Sequence, residues 1–178
     1  MLYTIYILSN IREAKQLLQL RVFLEHKIQG NLEPSIDFPY IHIMENGDIV
    51  FNSLGEVLDY YENNIEYFAL YFHNTDLSQI LRNFMIFFTE DGHTIIGIDV
   101  AVSDLHLMPE NDPCISEWTH VLKQYFDSDL ILYSYETPPP MNKNEFLEAI
   151  CDYFALNTNS IKNEFDILII LPSSRFRN

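Results

Sequence analysis

The stretch that most constrains this chain is Phe84 to Val100, FMIFFTEDGHTIIGIDV, where apolar residues occupy both parities on either side of one Asp-Gly pair. Asp91-Gly92 between two β-rich runs is a strong hairpin signal. A two-residue loop there pairs Glu90 with His93, Phe88 with Ile95, Phe87 with Ile96 and Phe84 with Asp99. One face then carries Met85, Phe87, Ile96, Ile98 and Val100, and the other sets Phe84, Ile86 and Phe88 opposite Ile95, Gly97 and Asp99. A strand pair that is apolar on both faces belongs inside a sheet covered on both sides. In this register Gly97 leaves room for Phe84, Ile86 or Phe88 across the backbone. Glu90, Asp91 and His93 crowd the tip, where they read as a solvated turn rather than a catalytic or metal-binding cluster.

The rest of the chain supplies what would cover that sheet. Met1 to Leu8 reads as a first strand, and Ser9 as the cap of a helix to about Ile28, with Gly30 just past its end. The run YIHIMENGDIVF reads as a second hairpin, with Asn46-Gly47 in a type I′ turn. Ser53-Leu-Gly-Glu56 matches a capping box for a helix through about Glu62. Ile65 to Phe72 is strand-like, and a short helix is expected from Thr75 or Asp76 to Arg82. Asp112 caps a helix with Pro113 in its first turn, ending near Asp127. Asp129 to Tyr135 reads as a strand, Asn142 to Glu145 as the capping box of a helix to about Leu156, and Phe165 to Leu171 as a buried strand. These elements define a single α+β domain over residues 1–178. Its sheet is expected to be mixed, with hairpins in the middle, a parallel crossover at the end and helices packed on its faces.

Charge excludes several functions. Of the net −16, residues 31–122 hold sixteen acids against one base, Arg82, whereas residues 1–30 hold two acids against four bases. Such a field repels nucleic acid and anionic membrane and attracts cationic partners. The 48% apolar content supports a packed core despite that charge. No apolar run is long enough to span a bilayer, and the N-terminus lacks the basic residues and cleavage site of a signal peptide. With only Cys114 and Cys151 and no close pairing motif, the expected compartment is the reducing cytoplasm.

Catalytic and cofactor patterns are weak. Cys114, near a helix start, invites a lowered thiolate pKa, but His120 six residues on lies on the opposite helix face. Asp104 and His106, with His93 and His73 from nearby loops, are the candidate metal ligands, yet they lack the spacing of a metal motif. The five glycines are spaced for turns and strands rather than for a phosphate cradle. A pair of carboxylates for glycoside chemistry stays formally open, because spacing along the chain does not identify which two would meet. No cofactor, metal site or catalytic residue is therefore assigned, and the chain is not expected to be an enzyme.

What remains is binding of a protein. Acids sit beside aromatics at Asp59, Tyr60, Tyr61 and Glu62, at the hairpin tips Glu45, Asp48, Glu90 and Asp91, and in the following loops at Asp104, Glu110 and Asp112. Aromatic residues supply anchor area and carboxylates steer a basic partner. In size, acidity and lack of catalytic motifs, the whole chain resembles the small acidic immunity proteins of bacterial toxin systems. Those include the immunity partners of contact-dependent growth inhibition and polymorphic toxins, and FFTEDGHTIIGIDV looks like the central hairpin of some of them. The resemblance implies stoichiometric binding to a cognate toxin domain, often a basic nuclease, covering its active site or blocking substrate access. Two alternatives stay open: an acidic mimic of nucleic acid, and an enzyme built on Cys114 or on a metal at His93 and Asp104.

Overall fold

A computed structural model describes residues 2–76, 78–102, 112–126, 128, 130–134 and 139–149, together with the backbone strand at 168–170. The α+β class is as expected from the sequence. In chain order the elements are β1 (Leu2–Ser9), α1 (Ala14–Ile28), β2 (Leu32–Pro34), β3 (Tyr40–His42), β4 (Ile49–Phe51), α2 (Leu54–Asn63), β5 (Phe68–Asn74), β6 (Leu81–Phe88), β7 (Thr94–Ala101), α3 (Pro113–Phe126), β8 (Ile131–Ser134), α4 (residues 143–149) and β9 (Leu168–Ile170). Seven strands form one sheet in the order β2-β5-β6-β7-β1-β8-β9, and β3 and β4 form a separate two-stranded sheet. Among the described residues every ladder is antiparallel. This includes β8 with β9, so the parallel crossover expected at the chain's end does not form there.

Both faces of the large sheet are covered, as the apolar parity of the central hairpin requires. One face presents Ile5, Ile7, Phe72, Phe84, Ile86, Phe88, Ile96, Ile98 and Tyr133 to α1, α2 and α3. Helix α1 meets it with Ala14, Leu17, Leu20, Leu24 and Ile28, a stripe at helical spacing. The opposite face gathers Tyr6, Leu8, Met85, Phe87, Ile95 and Leu132 around Phe146 of α4. Half-buried Asp99 ties three strands on that side: it accepts from the Thr4 hydroxyl of β1 at 2.6 Å and the Asn83 amide of β6 at 2.6 Å.

The register of the β6–β7 hairpin differs by one residue from the two-residue-loop expectation. Phe88 pairs with Thr94, Phe87 with Ile95, Ile86 with Ile96 and Phe84 with Ile98. The loop holds three residues, Glu90-Asp91-Gly92, between Thr89 and His93. Gly92 sits at φ 81° and donates to the Thr89 carbonyl at 3.2 Å. This is a turn followed by a left-handed residue, a common three-residue hairpin loop. Thr89 decides it: its N–H donates to the His93 carbonyl at 3.1 Å, and its hydroxyl accepts from the His93 N–H at 2.9 Å. The slip exchanges partners across the strands, so Phe84, Ile86 and Phe88 share a face with Ile96 and Ile98.

Gly97 consequently lies under Tyr6 and beside Met85. A methyl group built there would stand 2.8 and 2.9 Å from two Tyr6 ring carbons and 3.1 Å from the Met85 methyl. Both neighbours are buried, so Gly97→Ala is expected to destabilise the fold by about 1–3 kcal/mol through overpacking. A lowered urea midpoint with an unchanged slope would register it.

Local signals mark some ends correctly and not others. Ser53 caps α2, accepting from the Glu56 N–H at 3.3 Å, while the Glu56 carboxylate accepts from the Asn52 N–H at 2.7 Å. Asp112 caps α3 by accepting from the Cys114 N–H at 2.8 Å, and Asn142 accepts from the Glu145 N–H at 2.9 Å. Ser9 does not cap α1. It ends β1 and accepts from the Ile11 N–H at 2.9 Å, while the first N–H of α1, at Ala14, is capped across space by Glu62 at 2.9 Å. Gln29, at φ 53°, rather than Gly30, takes the left-handed position after α1. The β3–β4 turn has positive φ at Gly47 alone, so it is not type I′. No helix forms among the described residues of 75–80. Asp76 instead accepts from the Ser78 N–H and hydroxyl, folding a turn that leads into β6 at Leu81. The expected extension of α4 to Leu156 lies outside the described residues.

Candidate interaction surface

The residues singled out from the sequence as partner contacts fall into four groups. Glu45 and Asp48, on the β3–β4 loop, are exposed, as are Asp59 on α2 and Glu90 and Asp91 at the β6–β7 tip. Asp104 and Glu110 lie outside the described residues. Asp112 and Tyr61 are corrected: neither is a surface residue. Asp112 is almost fully enclosed because its carboxylate serves the first turn of α3. Tyr61 is wholly buried, stacked 4.2 Å from the Phe68 ring and 5.4 Å from that of Phe88. Glu62 is half-buried, with one carboxylate oxygen committed to Ala14.

Contacts join α2 to the β3–β4 hairpin and to the β6–β7 tip, while Asp59 lines the groove between α1 and α2 with Lys15 and Val22. The half-buried Tyr60 hydroxyl donates to Glu66 at 3.3 Å and lies 3.7 Å from the Met44 sulfur, beside Glu45. Glu66 also sits 3.7 Å from His42 Nε2, and the other ring nitrogen of His42 meets the Tyr61 hydroxyl at 3.3 Å. This network fastens the small β3–β4 sheet to α2. Burial, followed by the Glu66 charge, pushes the Tyr60 phenol up, so it stays a neutral donor. Next along the chain, Ile65 reaches the Gly92 position at the tip of the β6–β7 hairpin.

Arg12, which the sequence offered only as one of four N-terminal bases, holds this side together. Its guanidinium donates to the carbonyls of Tyr61 at 2.8 Å, Asn64 at 2.8 Å and His93 at 2.9 Å. It also lies over the Phe88 ring at 5.0 Å. One side chain thus joins the end of α2 to the β6–β7 tip, and a cation at a helix C-terminus is favourable. Burial lowers its pKa, and the nearby Asp91 charge opposes that. Arg21 pairs with Glu25 at 3.0 Å and Lys27 with Glu117 at 2.8 Å, so three of the four N-terminal cations are engaged away from Glu45, Asp48 and Asp59.

Asp91 is more ordered than a solvated turn acid. Burial alone would raise its pKa. Hydrogen bonds from the Thr89 hydroxyl and the Lys143 N–H, with the His93 charge, outweigh that and leave it below the ordinary value. A depressed folded pKa contributes stability above the unfolded value of about 3.9, lost as pH falls through the folded pKa. Asp91→Asn is expected to remove that contribution, so the stability gap between wild type and variant should close as pH drops below about 4. Urea midpoints followed across pH check it.

Among the described residues the catalytic candidates do not assemble. Burial, then Asp112 and Glu117, pushes the Cys114 thiol up, so the capping carboxylate reverses the effect expected of the helix start. His120 is exposed on α3. Among the described residues no three His, Cys, Asp or Glu side chains are grouped to hold a metal ion, and Asp104 and His106 lie outside those residues. No helix among the described residues is long and apolar enough to cross a membrane. No family model, curated protein or solved structure matches the chain.

Sequence reasoning missed one feature of this side. Strands β3 and β4 turn Tyr40 and Phe51 inward and Ile41 and Val50 outward as a cross-strand pair, followed by Ile43. The signal was present, because YIHI and DIVF are apolar at both parities, as the central hairpin is. Whether a second layer covers the outer face depends on tertiary structure.

Proposed function

We propose that this chain is a toxin-neutralising immunity protein acting in the cytoplasm. It binds a basic cognate toxin domain through the side formed by α2, the β3–β4 loop and the β6–β7 tip, covering the toxin's active site or blocking substrate access. The observation that carries this reading is charge placement: between Ile28 and Leu81 there are nine acids and no Lys or Arg. Exposed Glu45, Asp48 and Asp59 belong to that span, and Glu90 and Asp91 add to it at the β6–β7 tip. Such a field speeds encounter with a cationic protein and repels nucleic acid and anionic lipid.

The test is affinity capture by the tagged full chain from nuclease-treated lysate of its own cells, washed at low and then high salt. The expected result is one stoichiometric basic partner that is toxic when expressed alone and harmless when co-expressed. Several unrelated nucleic-acid enzymes, all released by salt, would instead identify a nucleic-acid mimic.

A further inference from the structure

We infer that the outer face of the β3–β4 sheet is the apolar anchor of the partner-binding surface, taking a hydrophobic projection from a basic protein. This rests on the reading of the chain as a binder of a basic protein, and it names where the contact is made. Ile41 is 53% exposed, Val50 51% and Ile43 81%, three β-branched side chains on one face of one small hairpin. A solvated sheet face ordinarily alternates to polar residues, and a group of exposed apolar side chains rimmed by polar ones marks an interaction site. Here the rim is acidic: Glu45 and Asp48 stand on the connecting loop, and Glu66 lies behind His42.

The rim selects the occupant. A second copy of this chain would bring Glu45 and Asp48 against their own like, whereas a face carrying Lys or Arg around an aliphatic or aromatic knob complements both apolar centre and acidic rim. Little rearrangement is needed, because the hairpin is already held. The Tyr40 ring stacks on Phe51 at 6.2 Å, and His42 meets Tyr61. Pre-ordering of this kind lowers the cost of association.

The experiment is photo-crosslinking in the native cells, with a photoreactive phenylalanine analogue placed separately at Ile43, Asp59 and Ile80 of the full chain. Ile80 is an exposed apolar control, 43% accessible, at the end of β6 away from the β6–β7 tip. Crosslinked chains are identified by mass spectrometry, and binding is then measured with purified components. The expected result is one basic polypeptide crosslinked from Ile43 and not from Ile80. Its affinity should fall about 30-fold or more with Ile41→Lys or Ile43→Lys and stay within about 3-fold with Ile80→Lys. Circular dichroism and urea midpoints of the lysine variants confirm that the hairpin remains folded. Crosslinks from Asp59 to a basic partner but none from Ile43 would overturn the anchor while leaving the proposed function standing. Crosslinks from Ile43 to another copy of this chain or to an acidic protein, or no basic partner from any position, would overturn the anchor, and the last would overturn the proposed function as well.

Discussion

Replacing Arg12 with methionine is expected to lower the unfolding free energy by about 2–4 kcal/mol, measured by urea or thermal denaturation. The methionine retains most of the apolar stem but leaves the carbonyls of Tyr61, Asn64 and His93 without their charged donor. Arg12→Lys keeps the charge, yet one ammonium does not reproduce a planar fork that spans three carbonyls from two elements. It is expected to recover less than half of the loss. An effect confined to a few tenths of a kcal/mol would mean that the α2 end and the β6–β7 tip do not depend on this side chain. Because both carry proposed contact acids, Arg12→Met should also weaken partner binding while touching no partner itself.

Truncating Tyr61 to alanine is expected to cost about 3–5 kcal/mol, the range for removing a fully buried aromatic side chain. The ring fills the space between Phe68 and Phe88, against which nothing else could collapse without moving α2. Tyr61→Phe keeps that packing and gives up only the hydroxyl contact with His42, so a cost of about 1 kcal/mol is expected. The pair of variants separates core from surface. Tyr61→Phe removes one contact that holds the β3–β4 hairpin, so it should weaken partner binding no more than it weakens stability, whereas a residue of the interface would show its effect in binding before stability.

These two residues mark where sequence reasoning stopped. Tyr60 and Tyr61 are adjacent on α2 with acids on either side, and nothing local tells which ring turns inward. The choice is made by Phe68 and Phe88, which arrive from β5 and β6. Arg12 reads as an ordinary solvated base because its acceptors are main-chain carbonyls fifty or more positions away in most cases. By contrast, the caps at Ser53, Asp112 and Asn142 were legible, since donor and acceptor lie within one turn. The central hairpin was legible in existence and in its two-sided burial, but not in register. One hydroxyl, that of Thr89, lengthens the loop and exchanges every partner pair. The exposed acids at the hairpin tips were legible because loop carboxylates stay in water wherever the strands pair. Asp112 was legible as a cap but not as a buried one, because how far a capping carboxylate is enclosed depends on what packs over its turn.

The acidic side and its basic partner are best tested by the association rate of the purified complex, followed by stopped flow as salt rises from about 0.01 M to about 1 M. Over that range the Debye length falls from about 30 Å to about 3 Å. If the charge of α2, the β3–β4 loop and the β6–β7 tip steers the encounter, the rate should fall at least tenfold across the range. Reversing Glu45, Asp48 and Asp59 together should flatten the dependence, while the dissociation rate changes less. A rate that is flat in salt, or a salt dependence untouched by reversing those acids, would contradict the assignment of this surface to a basic partner.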